Sequence, residues 1–263
     1  MAAGDSGSVN VDDPRHDCCA DGTGWLECAD IHAPARLCRL PDGRPSLVIG
    51  AVEEYAAFNH RQGDNPENDR GDCGVVSCAD VLSQFGVGLT EADLVGHATR
   101  CRELHLVAGR PDQSGWTLPA EQVAMLHDYG VPAHAAQDQS LEALALAVQR
   151  DCGVIATVNA GVLWSDAAAL GDGQGNHVVT VTGIAREPYD GALQGFFIND
   201  SGNGQSGQFI SAHLMTTAFV RTGGFCVITD VVHAAPSPDQ DARRQSGTEA
   251  RAAATSGCWS SSP

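Results

Sequence analysis

The chain has 263 residues, a mass of 27.3 kDa, 43% hydrophobic residues and a formal net charge of −18. This length is enough for one domain with a full hydrophobic core. The negative charge argues against binding to nucleic-acid phosphates, because such affinity comes chiefly from Lys and Arg. No apolar stretch approaches the roughly 20 residues that a membrane-spanning helix needs. We therefore predict neither a nucleic-acid partner nor a membrane span.

Composition divides the chain into three parts. Residues 1–45 are rich in Cys, Gly and Asp without clear periodicity, which predicts an irregular arm. Residues 46–233 carry the periodic patterns of a folded domain, and residues 234–263, rich in Pro, Ser, Gly and Ala, predict a disordered tail.

The amino terminus and the cysteines indicate the compartment. Residues 1–6 lack the positively charged and then apolar segments of a secretory signal peptide. The ten cysteines show no regular framework of spacings. We expect a protein that is cytoplasmic as synthesised and carries mostly free thiols, and export by a specialised secretion system stays open.

Within the folded part, helices come first and strands second. Apolar residues at three- and four-residue steps predict a helix that begins at Asp72-Cys73 and ends at Gly86. Start and stop signals predict four more helices, at 90–101, 119–129, 141–150 and 211–219. Runs of β-branched and aromatic residues predict strands at 154–158, 177–182, 195–199 and 225–229. This order predicts an α+β domain, with a helical layer packed on an antiparallel sheet.

Cys73 is the candidate nucleophile. A reactive cysteine must be readily deprotonated, and the free N–H groups and dipole at the start of a helix favour the thiolate. Cys73 follows a loop rich in Gly and Asp and lies in the first turn of the first long predicted helix. Cys78 lies in the body of the same helix, and we interpret it as structural because free cysteines are usually buried.

His177 is the candidate general base and acid. That residue must reach the thiol and hold a pKa near the working pH, which makes histidine the natural choice. His177 follows a Gly-rich loop at 171–176 and opens an apolar strand, which can hold a ring at the mouth of a cleft. Other histidines, such as His97 on a predicted helix, lack this setting.

The third candidate must accept the imidazole N–H. Asn199 and Asp200 end the strand that follows His177, and adjacent strand residues point to opposite faces of a sheet. Only one of the two can face the imidazole. We choose Asp200, because an anion better supports a charged imidazole ring.

A donor to the oxyanion is also expected. One N–H can come from the Cys73 backbone, and the second usually comes from a side-chain amide upstream. Three amides are available there: Gln62, Asn65 and Asn68. We choose Gln62.

These residues resemble the double-glycine leader peptidases, which are papain-superfamily domains fused to bacteriocin exporters, and their free-standing relatives. The resemblance covers about 69–230 and rests on Asp72-Cys73-Gly74, on His177 to Gly183 and on Asn199-Asp200. It implies a papain-like fold with a catalytic triad at Cys73, His177 and Asp200. The chain departs from that family in two places. Gln62 stands further from the cysteine than the family's glutamine, and Ser201 follows the aspartate where the family usually has proline.

The resemblance implies a cysteine peptidase or hydrolase that acts on a peptide or protein amide through a thioester, with no cofactor and no metal. The Val162-Leu163-Trp164 loop and the Asn-Asp-Ser-Gly strand end also resemble papain-fold toxin domains of bacterial polymorphic toxins and secreted effectors. That second resemblance implies a toxin or effector role. The expected partners are then a peptide or protein substrate and a cognate inhibitor or secretion partner.

Four alternatives stay open. A deamidase or transglutaminase-like acyl transferase would use the same three residues. A papain-superfamily cell-wall amidase has a similar Asp-Cys start, but places its histidine closer to the cysteine. A domain of this fold can also bind peptides without catalysis. Finally, the amino-terminal arm carries possible zinc ligands without a Cys-x2-Cys pair: His16, Cys18, Cys19, Cys28, His32 and Cys38.

Overall fold

Two short strands precede the first long helix. The computed structural model describes residues 30–233, so the predicted tail and residues 1–29 of the predicted arm lie outside the described part. Strand β1 (Ala35–Arg39) pairs antiparallel with strand β2 (Pro45–Ile49). Residues 35–39 and residue 45 of the predicted irregular arm therefore lie in strands, and residues 40–44 form the turn between them. The side chains of β1 are mostly exposed, so this segment carries little of the hydrophobic periodicity that predicts a strand.

Seven α-helices lie within the described residues. They are α1 (Val52–Ala56), α2 (Cys73–Gln84), α3 (Glu91–Cys101), α4 (Pro119–Asp128), α5 (Leu141–Gln149), α6 (Ala160–Trp164) and α7 (Ala212–Ala218). Local signals set several starts: Thr90 forms a capping box with Asp93 at α3, and Ser140 and Ser211 cap α5 and α7. The five predicted helices are confirmed, with ends within two residues of the prediction.

The remaining strands complete one antiparallel sheet of eight strands. They are β3 (Ala133–Ala136), β4 (Cys152–Val158), β5 (His177–Arg186), β6 (Leu193–Asp200), β7 (Gln205–Ser211) and β8 (Cys226–Val232). The main path runs β1-β2-β5-β4-β8-β3, and β6 joins β5 to β7. Strand β5 pairs with β2, β4 and β6 and is buried along its whole length.

Helices cover both faces of the sheet because neighbouring strand residues point in opposite directions. In β4, Ile155 packs in a cluster with Val81 of α2, whereas Val154 and Ala156 pack in a second cluster with Leu144 of α5. The α+β class is confirmed, and so is a helical layer that carries Cys73 against the sheet that carries His177 and Asp200. Helices α5 and α7 lie on the opposite face of the sheet, and the prediction did not distinguish this second helical layer from the first.

This arrangement positions the site. Helix α2 crosses β5, where the Thr180 hydroxyl donates to the Ser77 carbonyl at 3.5 Å. Among residues 30–233, no helix has the length and apolar character needed to cross a bilayer.

Candidate active site

Cys73 is the first residue of α2 and lines a cleft, with 9% of its surface exposed. The loop before it is fixed by a hydrogen bond from the Gly71 N–H to the Ser114 carbonyl, at 2.8 Å. The residue after it is glycine for a steric reason, because a Cβ on Gly74 would meet the Thr117 hydroxyl. The Asp-Cys-Gly motif therefore holds a thiol at a helix start while its backbone packs closely against the 114–117 segment.

His177 and Asp200 form a buried pair at the ends of neighbouring strands. His177 opens β5 and Asp200 closes β6, and the two strands are paired. His177 Nε2 lies 2.8 Å from Asp200 Oδ1, with side-chain exposures of 4% and 0%. The structure thus brings together two of the residues that the sequence analysis selected. His177 lines the same cleft as Cys73.

Asn199 points away from this pair. Its amide donates to Asp80 Oδ2 at 3.0 Å and to the Tyr55 carbonyl at 2.9 Å. The alternation of strand side chains therefore separates the two candidates as expected, and Asp200 is the one that contacts the imidazole.

Trp164, at the end of α6, contacts both members of the pair. Its indole N–H donates to Asp200 Oδ2 at 2.6 Å, and its ring lies at a tilt against His177 with 5.1 Å between ring centroids. The Gly202 N–H donates to Asp200 Oδ1 at 2.9 Å. Asp200 therefore accepts hydrogen bonds on both oxygens, which fixes the carboxylate plane. The sequence analysis did not assign Trp164 to the site, because no local pattern indicates a contact 36 residues away.

The electrostatics of the pair favour a charged imidazole. Burial alone would lower the pKa of His177, but hydrogen bonds and charge interactions with Asp200 and Cys73 outweigh it and raise this pKa to about 10. Burial would raise the pKa of Asp200, yet the hydrogen bond and charge of His177 and the Trp164 hydrogen bond hold it below its ordinary value. The imidazole can therefore hold an added proton while the carboxylate beside it stays charged.

Gln62 lines the same cleft as Cys73. Its amide nitrogen donates to the Arg70 carbonyl, and its amide oxygen accepts from the Ser201 hydroxyl at 3.0 Å. One amide hydrogen thus orients the group and a second is left for a ligand. The other two amides considered for this role are not among the residues that line the cleft: Asn65 is buried in the loop, and Asn68 is exposed.

The cleft has a volume of about 780 Å³. Cys73 and His177 meet in its wall, and apolar side chains such as Trp116, Leu118 and Phe225 form much of the remainder. Trp116 and Leu118 are 43% and 50% exposed. A cleft of this size, apolar with a few polar groups, is typical of a site for a ligand or an extended peptide.

A buried pair of carboxyl groups supports the loop before Cys73. Asn65 donates to Asp72 Oδ2 at 3.1 Å and to Glu91 Oε1 at 2.8 Å, and His60 Nε2 lies 2.7 Å from Glu91 Oε2. Burial, together with the hydrogen bond and charge of Glu91, raises the pKa of Asp72 to about 9. The pKa of Glu91 is lowered, because its hydrogen bonds to His60, Asp72 and Asn65 outweigh burial. The pair therefore keeps one proton, held by Asp72.

The expectations that the protein needs no cofactor and no metal stay predictions. Most of the amino-terminal zinc candidates lie outside the described residues. Of the two inside, His32 pairs with Asp30 at 2.8 Å, and Cys38 lies on β1.

Comparison with known proteins gives similar structures but no similar sequences. No family model matches the chain, and no curated protein matches it. One similar solved structure is a double glycine motif protease from an AMS/PCAT transporter in complex with the leader peptide, at 16% identity over 61% of this chain and 86% of that chain, with a TM-score of 0.39. Another is a Bacillus anthracis protein described as a C39-like peptidase, at 15% identity over 62% of this chain and 90% of that chain, with a TM-score of 0.44. Both TM-scores are below 0.5.

Proposed function

We propose that the chain is a cysteine hydrolase that cleaves a peptide or protein amide. Cys73 is the nucleophile, His177 the general base and acid, and Asp200 the residue that orients the imidazole. The observation that carries the proposal is the buried 2.8 Å pair of His177 and Asp200, whose imidazole lines the same cleft as Cys73 at the start of α2. These are the roles that nucleophilic catalysis by cysteine requires.

The two imidazole nitrogens have different roles in this proposal. His177 Nε2 is bound to Asp200, so Nδ1 is left for Cys73, and a hydrogen bond with Cys73 contributes to the raised pKa of His177. The thiol proton passes to the imidazole, and the thiolate attacks the amide carbon. When the C–N bond breaks, the imidazolium returns the proton to the leaving amine and a thioester remains on Cys73. Water, deprotonated by His177, then releases the carboxylate and restores the thiol.

Two donors are available for the oxyanion that forms during attack. Cys73 is the first residue of α2, and the N–H groups of a first turn have no partner within the helix. Gln62 lies in the same cleft with a second amide hydrogen. We propose both as oxyanion donors, and we expect Gln62→Ala to lower kcat by about 100-fold, the size typical for loss of one such donor.

The substrate in this proposal is a peptide or protein, and the acceptor of the acyl group is water. The apolar cleft favours a peptide segment over a small polar molecule. A deamidase or a transglutaminase-like enzyme would form the same thioester. It would differ in the amide that Cys73 attacks or in the nucleophile that then takes the acyl group from the thioester. The toxin or effector role, with its inhibitor or secretion partner, stays a prediction from sequence.

Thiol labelling of the full chain tests the proposal. Wild type, Cys73→Ala, His177→Ala and His134→Ala are treated with one equivalent of an alkylating agent from about pH 5 to about pH 9, and intact mass and peptide mapping locate the label. His134 is the matched control, because it also pairs with a carboxylate, Asp230, at 2.6 Å, but on the surface. We expect fast single labelling of Cys73 at low pH that His177→Ala abolishes and His134→Ala leaves unchanged.

Scattered slow labelling, or equal labelling of Cys73 in the His177→Ala protein, would contradict the proposed pair. Cleavage of a peptide library by wild type, with Cys73→Ala as the blank, then separates a hydrolase from a domain that only binds peptides. Adding a primary amine during the same reaction shows whether water or the amine takes the acyl group.

A further inference from the structure

Four side chains near the carboxyl ends of α3 and α4 are of types that can bind a metal ion and lie close together. They are His97, Cys101, Glu103 and Asp128, and one donor atom from each lies within 4.8 Å of all the others. None of the four is among the residues that line the cleft. From the donor set and its geometry we propose that this cluster is a zinc site.

The fold brings these residues together by simple helix geometry. His97 and Cys101 stand four residues apart on α3, so they share one face of the helix. The helix ends at Arg102, which adopts a left-handed conformation with φ of 62° and turns the chain so that Glu103 follows closely. Asp128 is the last residue of α4.

The distances fit a tetrahedral ion after a small adjustment. His97 Nε2 lies 3.6 Å from Cys101 Sγ, 3.8 Å from Glu103 Oε2 and 2.7 Å from Asp128 Oδ2. Zinc bonds of about 2.0 Å to nitrogen and oxygen and about 2.3 Å to sulfur give ligand separations of roughly 3.3 to 3.5 Å. The Asp128 contact would lengthen by about half an ångström as zinc replaces the proton that this hydrogen bond now shares.

The charges of the cluster favour a cation. Two carboxylates and a thiol surround one imidazole, and among residues 30–233 no arginine forms an ion pair with Glu103 or Asp128. Glu103 Oε2 is buried and has no hydrogen-bond partner in the described part of the chain. A buried oxygen without a donor is costly, and a divalent ion would satisfy it.

The donor types select zinc over other common ions. Calcium and magnesium prefer sites made entirely of oxygen, whereas zinc accepts sulfur, nitrogen and oxygen together. Cys101 and Asp128 are exposed, which leaves a path for the ion to enter. Binding would release the thiol proton to solvent.

A bound ion would tie α3 to α4. Both helices pack on α2 through buried residues, among them Leu94 and Met125, and α4 begins at Pro119 in the wall of the cleft. We therefore assign the ion a structural role in the helical layer, separate from the chemistry at Cys73.

Metal titration of the full chain tests the site, in a Cys73→Ala background so that the cysteine and histidine of the cleft do not bind the ion together. Zinc is followed by calorimetry, and cobalt(II) is followed by its sulfur-to-metal charge-transfer absorption. We expect a cobalt band that Cys101→Ser removes and Cys38→Ser leaves intact, since Cys38 lies on β1. Asp128→Asn should weaken zinc binding at least about tenfold, and zinc should raise Tm in all proteins that keep the site.

Some results would overturn the assignment. An unchanged cobalt band and zinc affinity in the Cys101→Ser protein would place the metal elsewhere, for instance on the amino-terminal cysteines. Absence of any zinc binding at neutral pH would overturn it as well. Neither result bears on the labelling of Cys73, so this proposal and the proposed function fail separately.

Discussion

Replacing Asp200 with asparagine probes the centre of the proposed site. The Asp200 carboxylate accepts four hydrogen bonds: His177 Nε2 at 2.8 Å, the Gly202 N–H at 2.9 Å and the Asn203 N–H at 3.4 Å on Oδ1, and Trp164 Nε1 at 2.6 Å on Oδ2. An asparagine has one oxygen and one NH2 group. If its oxygen keeps the His177 bond, its NH2 group faces the indole N–H, and two donors oppose each other at hydrogen-bond distance.

The cost follows from these contacts. A buried donor without an acceptor costs about 1–3 kcal/mol, and changing a charge-assisted bond to a neutral one removes about 1 kcal/mol more. We therefore expect Asp200→Asn to lower the free energy of unfolding by about 2–4 kcal/mol. In a Trp164→Phe background the opposing donor is absent, so the same substitution should cost about 1–3 kcal/mol less.

The assay is urea unfolding of the four proteins in this double-mutant cycle, followed by circular dichroism. Equal costs in the two backgrounds, within about 0.5 kcal/mol, would refute the reasoning that Trp164 fixes Asp200. The alkylation rate of Cys73 near pH 6 gives the functional reading. Losing one pKa unit of imidazolium stabilisation corresponds to about 1.4 kcal/mol, or a tenfold slower rate for Asp200→Asn.

The pH dependence has a definite sign. The folded-state pKa of His177 is raised to about 10, above its ordinary value of about 6.5. The protonated imidazole therefore stabilises the fold fully below about pH 6.5, and this contribution declines as the pH rises toward 10. Asp200→Asn should flatten that decline, and an unchanged stability profile would contradict the link between the two residues.

Two further predictions concern the surroundings of the pair. The pKa of Asp72 is raised to about 9. The protonated carboxyl group therefore contributes fully to stability below the ordinary pKa of an aspartate, and this contribution is lost as the pH rises to 9. Asp72→Asn should raise the free energy of unfolding above about pH 8 by about 1 kcal/mol or more. Urea unfolding at two pH values checks this, with the exposed Glu67→Gln as control. An equal change in the free energy of unfolding in both variants would be evidence against it. A Cβ on Gly202 would lie 2.6 Å from the Trp164 ring, so Gly202→Ala should cost about 1–3 kcal/mol of stability and slow Cys73 labelling. Gly88→Ala, where a Cβ meets nothing within 4 Å, should do neither, and a normal labelling rate in Gly202→Ala would count against a tightly packed site.

Local signals were enough to predict the helices and the main strands. The Thr90 capping box, the Ser140 cap and the Gly86 stop are short-range interactions, so their residues stand close together in sequence. The predicted strands were likewise indicated by contiguous runs of β-branched and aromatic residues. Strands β1, β2, β3 and β7 and helices α1 and α6 were not predicted. Strand β1 is a largely exposed edge with little apolar pattern, and β3, α1 and α6 are only four or five residues long.

Pairwise geometry chose among the candidates that the sequence left open. The alternation of strand side chains limited the partner of His177 to Asn199 or Asp200, but the pairing of β5 with β6 determined which one faces the ring. Likewise, three upstream amides were available from sequence, and the path of the 59–72 loop decided that Gln62 lines the cleft while Asn65 supports the loop.

The sequence alone determined the helical starts, the α+β order and the position of one thiol at a helix start, because these depend on neighbours within a few residues. Only the tertiary structure decided that Trp164 donates to Asp200, that burial beside Glu91 raises the pKa of Asp72, and that two helix ends gather possible metal ligands. Such contacts join residues far apart in sequence, and their strength depends on burial and on distances of a few tenths of an ångström. A residue's own neighbours along the chain fix neither quantity.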